Sequence, residues 1–193
     1  MGKTQFALAG LVLTLGVAPA VGWAQDSAAS TSTSTSTAAS ATEVMGRVRE
    51  AAQYLNEKGL AGFADFNNNK DARWVWKDSY VFVYSCRDDV MIAHPLRPDL
   101  VGKPILQMRD DKGTALFQEM CKASDNPNGG WVEYWWPKPG EAKASRKISY
   151  VHSAPVSFKS DIQVGAGIYD EKLTPADLSK IAEDTAKPQK AVP

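Results

Sequence analysis

The sequence predicts an α+β domain in which a long helix leads into an antiparallel β-sheet. Three observations carry this. Ser40-Ala41-Thr42-Glu43 has the pattern of a capping box, and Val44, Val48, Ala51 or Ala52, and Leu55 follow it at helical spacing. The runs Tyr80–Tyr84, Gly129–Pro137 and Val164–Glu171 are rich in aromatic and β-branched residues, as half-buried strands are. Clusters such as Asn67-Asn68-Asn69, Arg87-Asp88-Asp89 and Pro137–Lys143 punctuate the chain with turn-forming residues.

Taken in order, the first helix is expected to run to about Lys58 and stop at Gly59, with Arg47, Arg49, Glu50 and Glu57 solvated. Leu60–Asn69 reads as a short broken segment. Strands are expected at Trp74–Trp76, Ser79–Ser85 and Val90–Ala93, the last two joined as a hairpin by Arg87-Asp88-Asp89. His94–Asp111 reads as a long loop rich in proline and charge. Gly113–Cys121 reads as a helix with Leu116, Phe117 and Met120 as its apolar stripe. Trp131–Trp136 and Ser145–His152 read as strands, and Ile162–Tyr169 as the last one. Thr174 is placed to cap a terminal helix with Pro175 in its first position. Sequential antiparallel strands, a helix packed first and loops over the other face make a PAS-like α+β domain.

The ends of the chain speak to location. Lys3, the apolar run Phe6–Ala18 and Gly22-Trp23-Ala24 before Gln25 have the plan of a secretory signal peptide spanning residues 1–24. Ala18-Pro19-Ala20 offers another cut. An uncleaved anchor is the alternative, because a membrane span needs about 20 apolar residues. Residues 25–42 are dominated by Ser/Thr/Ala repetition without bulky apolar side chains, which predicts a disordered tether. The folded domain is expected over residues 43–186, with a flexible tail at 187–193. Without Lys3 the 22 basic and 22 acidic residues become 21 against 22. A near-neutral domain carries no electrostatic footprint for nucleic acid or an anionic membrane.

In an exported chain, two cysteines most simply pair, so Cys86 and Cys121 are expected to form a disulfide. The loop it closes, about 35 residues, corresponds to about 4 kcal/mol in the chain-entropy account. Metal binding is the weaker reading, since two thiols and two scattered histidines lack ligand spacing, and no cofactor is expected.

The motif order resembles the single Cache domains of type 2, extracytoplasmic ligand sensors of bacterial signalling proteins. The order runs from Tyr80–Tyr84 through Ala93-His94-Pro95, Leu100–Lys103 and Gly129–Pro137 to Ser149-Tyr150-Val151 and Gly165–Tyr169. The resemblance covers Val44 to Glu171. It implies a PAS-like sheet and a site for a small carboxylate such as acetate, propionate, lactate or pyruvate. In the resembled family the His-Pro position borders that site, which implies a ligand contact for His94; the plain alternative is a turn residue bonded to backbone. Family members commonly sit between two membrane spans, whereas this sequence ends at Pro193 after one terminal helix. The expectation is therefore a free-standing sensor that signals through a membrane protein partner.

Such a site needs a cation, donors aimed at oxygens, and apolar walls. Arg146 and Lys147 open one strand, and alternation lets only one of them face the pocket. Tyr134 and Tyr150 offer hydroxyls; Trp131, Trp135 and Trp136 offer walls. Trp131, Glu133 and Trp135 point one way, Val132, Tyr134 and Trp136 the other, and the latter set is favoured because Glu133 would repel a carboxylate. The candidate ligand residues are His94, Trp131, Tyr134, Trp136, Arg146, Lys147 and Tyr150. For each aromatic, core filling is the competing role. Gly165 and Gly167 share a face and allow close approach of a ligand, a helix or another backbone.

An enzyme is disfavoured: there is no Ser/His/Asp order and histidines are scarce, while Asp88-Asp89 and Asp110-Asp111 read as solvated turn carboxylates. The third reading is an envelope interaction module that kept the fold and lost the ligand. Its sign would be a pocket filled by the chain's own tryptophans and tyrosines.

Overall fold

A computed structural model describes residues 36–156, 159–170 and 172–186. The expected leader, most of the Ser/Thr-rich stretch and the C-terminal tail lie outside them. Helix α1 (Ala41–Lys58) opens with the capping box: the Ser40 hydroxyl accepts from the Glu43 N–H at 3.2 Å, and the Glu43 carboxylate accepts from the Ser40 N–H at 2.8 Å. Gly59, at φ 63°, ends it in a conformation that costs a glycine little. The next segment is a 3-10 helix over Gly59–Asn67 that buries Phe66.

The expected strand at Ser79–Ser85 is two strands. A small ribbon pairs β1 (Val75–Trp76) with β2 (Ser79–Tyr80) around a turn in which Lys77 sits at φ 48°. The Val81 N–H then donates to the Trp74 carbonyl at 2.9 Å, outside the main ladder. The chain re-enters pairing as β3 (Phe82–Ser85), followed by β4 (Val90–Ala93).

Helix α2 (Leu116–Ser124) starts three residues later than the sequence suggested. The Asp110 carboxylate accepts from the Lys112 and Thr114 N–H groups and holds residues 110–114 as a turn, with Gly113 at φ 84°. Strands β5 (Gly130–Pro137), β6 (Ala144–Val156) and β7 (Lys159–Ile168) follow, then α3 (Pro175–Ala186). Strand β6 is longer than expected and carries an irregularity between Ala154 and Val156, at Pro155, which has no N–H for the ladder. At α3 the Thr174 hydroxyl accepts from the Asp177 N–H and the Asp177 carboxylate accepts from the Thr174 N–H.

The five-stranded sheet has the order β4-β3-β7-β6-β5 and is antiparallel throughout. Helices α1 and α3 cover one face with a core containing Val44, Val48, Leu55, Ile148, Ile162 and Leu178. The other face is covered by α2 and the segment between β4 and α2, around Phe82, Tyr84, Ile105, Phe117 and Tyr134. Cys86, just past β3, and Cys121 of α2 are disulfide-bonded, with Cα atoms 5.9 Å apart. The bond ties α2 to the sheet.

Candidate functional site

Alternation along β5 sends Val132, Tyr134 and Trp136 to the α2 face. Their cross-strand partners on β6 are Ser149, Lys147 and Ser145. Strand β7 brings Gly165 and Gly167 to the same face, and there a side chain would collide. A Cβ at Gly165 would lie 2.6 Å from the Phe82 ring, and one at Gly167 would lie 2.6 Å from Cε of Lys147 and 2.4 Å from Oγ of Ser149. The two glycines thus form a trough in which Phe82 and the Lys147 stem lie flat.

Above the trough is a cavity lined by Tyr80, Phe82, His94, Leu116, Phe117, Tyr134 and Trp136, about 190 Å³ of interatomic space with the solvent at its mouth included. It is narrow, with room for the centre of roughly one water-sized sphere. Tyr134 Oη and Ser149 Oγ are hydrogen-bonded at 2.9 Å. Lys147 lies in the layer beneath the lining rings, its Nζ 4.1 Å from the centroid of Tyr80, 5.7 Å from Phe82 and 5.9 Å from Tyr134. The side chain is 0% exposed, and its Nζ has no hydrogen-bond partner among the described residues. Burial pulls the amine down from its ordinary 10.5 to about 7, with Asp78 pulling weakly the other way.

His94 is 3% exposed and packs against Tyr80, Phe82 and Trp136 with ring centroids 4.9, 6.1 and 6.2 Å away. Burial, then the positive charges of Lys147 and Arg97, bring its imidazole down to about 3, so it is neutral at pH 7. Its Nδ1 accepts from the Arg97 N–H at 3.0 Å. The ring proton therefore sits on Nε2, which leaves that nitrogen a donor. Aromatic walls, a neutral imidazole donor, two hydroxyls and a buried amine can recognise an anionic oxygen.

Residues 66–176, more than half of the chain, match the family described as the Cache domain. The chain belongs to that family. An 80-residue stretch is 39% identical to the methyl-accepting chemotaxis protein McpP of Pseudomonas putida, covering 41% of this chain and 14% of the receptor. The chain thus spans about a seventh of the length of that curated relative. A Cache chemosensory domain solved for carboxylic acid recognition is 26% identical, with 68% of this chain and 93% of that one superposed at a TM-score of 0.55. A methyl-accepting chemotaxis protein of Vibrio parahaemolyticus, 20% identical, superposes with a TM-score of 0.55 over 67% of this chain and 88% of its own, a likeness of fold. Cache domains are extracytoplasmic ligand-binding sensor modules rather than enzymes. Among the described residues no helix is long and apolar enough to cross a membrane.

In this Cache domain His94, Tyr134 and Trp136 come together at the cavity, with Lys147 beneath it. Trp131, Arg146 and Tyr150 do not join them. They project from the opposite face, since they alternate with Val132, Lys147 and Val151. Arg146 there donates to the Glu133 carboxylate and to the Asp170 carbonyl, each at 2.6 Å. The Trp131 and Tyr150 rings pack at a tilt with centroids 5.2 Å apart, and the Tyr150 hydroxyl donates to the Asn128 carbonyl. Tyr80, Phe82, Leu116 and Phe117 are cavity walls that the sequence reading passed over. Their signal was the odd–even alternation of Tyr80, Phe82 and Tyr84 and the apolar stripe of α2. The turn carboxylates are not merely solvated: Asp89 accepts from the Ile105 and Leu106 N–H groups, and Asp110 from the edge-strand N–H of Trp135.

Proposed function

We propose that this domain is an exported sensor module for a small carboxylic acid, with Lys147 as the cation that recognises it and a membrane signalling protein as its partner. One observation carries the reading: a fully buried lysine amine without a hydrogen-bond acceptor lies beneath a cavity walled by His94, Tyr134 and Trp136. A buried amine that has aromatic rings around it but no acceptor is costly, and a carboxylate at this position would supply its missing partner. The His94 Nε2–H and the Tyr134 hydroxyl are the donors within reach of the same cavity. The 26% identical neighbour concerned with carboxylic acid recognition supports this ligand class.

Titration calorimetry with acetate, propionate, lactate and pyruvate tests the reading. Wild-type protein and Arg146→Ala should bind alike, and Lys147→Ala should lose binding while remaining folded. Equal binding by the Lys147 variant refutes the role of that amine. Absence of any carboxylate ligand favours the second reading, an envelope interaction module without a ligand. The narrowness of the cavity, filled largely by Tyr80, Phe82 and Trp136, is the observation that speaks for it.

A further inference from the structure

We propose that Trp136 is the partition that sets the ligand's chain length by separating the inner cavity from a second chamber outside it. The inference rests on the carboxylate reading above and adds the determinant of selectivity. The outer chamber is a cleft of about 340 Å³, open solvent at its mouth included, between Tyr80, Leu96, Arg97, Trp136 and the turn at residues 137–141. Tyr80 and Trp136 are the two side chains that line both chambers. The indole has His94 and Tyr134 on its inner side, each 6.2 Å away between ring centroids, and the Arg97 guanidinium 5.6 Å above it on the outer side.

Of the seven inner walls, Trp136 alone is half-buried; the others are fully buried within the two-sided packing of the sheet. Any enlargement of the cavity therefore goes through the indole. Beside it, the Tyr169 hydroxyl donates to the Pro137 carbonyl at 2.7 Å, which holds the end of the strand that carries Trp136. With the wall in place, an acyl tail held near Lys147 has space for very few carbons. With the wall removed, the two chambers become one, and each additional methylene buried is worth about fourfold in affinity.

Calorimetry across acetate, propionate, butyrate, hexanoate and octanoate tests this on the wild type, Trp136→Ala and Trp136→Phe. The wild type should bind the two- to four-carbon acids and bind hexanoate at least about tenfold more weakly than propionate. Trp136→Ala should reverse that order, with hexanoate gaining about tenfold or more over wild type. Trp136→Phe keeps an aromatic wall but a smaller one, so it should shift the preference in the same direction by about fourfold, one methylene's worth. It also serves as the informative variant if Trp136→Ala does not fold. An unchanged length preference in folded variants, or wild-type binding of hexanoate as tight as propionate, overturns the partition and leaves the carboxylate reading standing. No binding of any acid by wild type overturns both.

Discussion

The two faces of the sheet are made by alternate residues of the same strands, and they bury different chemistry. Against α1 and α3, Ile148, Ile162, Val164 and Ile168 meet Val44, Val48, Leu55 and Leu178, an interior dominated by aliphatic side chains. Against α2 and the segment after β4 lie Tyr80, Phe82, Tyr84, Phe117 and Tyr134. Among them sit Lys147, His94 and Ser149, none of them exposed by more than 3%. The first face accounts for stability in the ordinary way, by removing apolar surface from water. On the second, an amine and an imidazole are desolvated at a cost that apolar side chains of the same volume would avoid.

Lys147→Met tests that difference with the largest expected effect. The unfolded amine titrates near 10.5 and the folded one near 7, so between those values the unfolded chain holds a proton that the folded chain lacks. Wild-type stability should therefore rise from pH 7 towards pH 10.5, with the full cost present at and below pH 7. At about 1.4 kcal/mol per unit, Lys147→Met should be more stable by about 4 kcal/mol at pH 7 and lose this pH dependence. Urea denaturation from pH 6 to pH 10 measures it. A carboxylate prefers the ammonium form, so ligand affinity should move oppositely, flat below pH 7 and falling as pH rises above it.

On the other face, Leu55→Ala removes a fully buried side chain from α1 and should lower stability by about 3 kcal/mol. The dissociation constant for a carboxylate, measured well below the melting temperature, should stay within about twofold because the leucine lies across the sheet from the cavity. A large loss of affinity would show that the two faces are coupled. Smallest is Tyr134→Phe, which deletes the hydroxyl paired with Ser149 and keeps the ring. It should reduce stability by about 1 kcal/mol and weaken binding less than Lys147→Ala does, as seen by thermal melts and calorimetry.

The architecture was legible because local signals agreed with it: Ser40 and Glu43 form the box their spacing promised, and Thr174 caps α3. The break at Val81 was not, because it depends on a hydrogen bond to Trp74 that strand propensity does not contain. For the site, alternation correctly separated Tyr134 and Trp136 from Trp131 within one strand. It could only state that Arg146 and Lys147 differ, because the choice depends on how β6 registers against β5, and register is a long-range property. Trp131 and Tyr150 were nominated by residue type, a criterion that does not distinguish one face from the other. The trough at Gly165 and Gly167 was visible as missing side chains, but its occupants, Phe82 and Lys147, were not.

The Cys86–Cys121 bond makes α2 a lever with its fulcrum at one end. The tether holds the helix at Cys121, whereas Leu116 and Phe117, which roof the cavity, lie about 6–8 Å further along the axis towards its N-terminus. A load on that roof would act on the long arm, and the tilt it produced would be largest in the segment that joins β4 to α2 and smallest at the sulfur atoms.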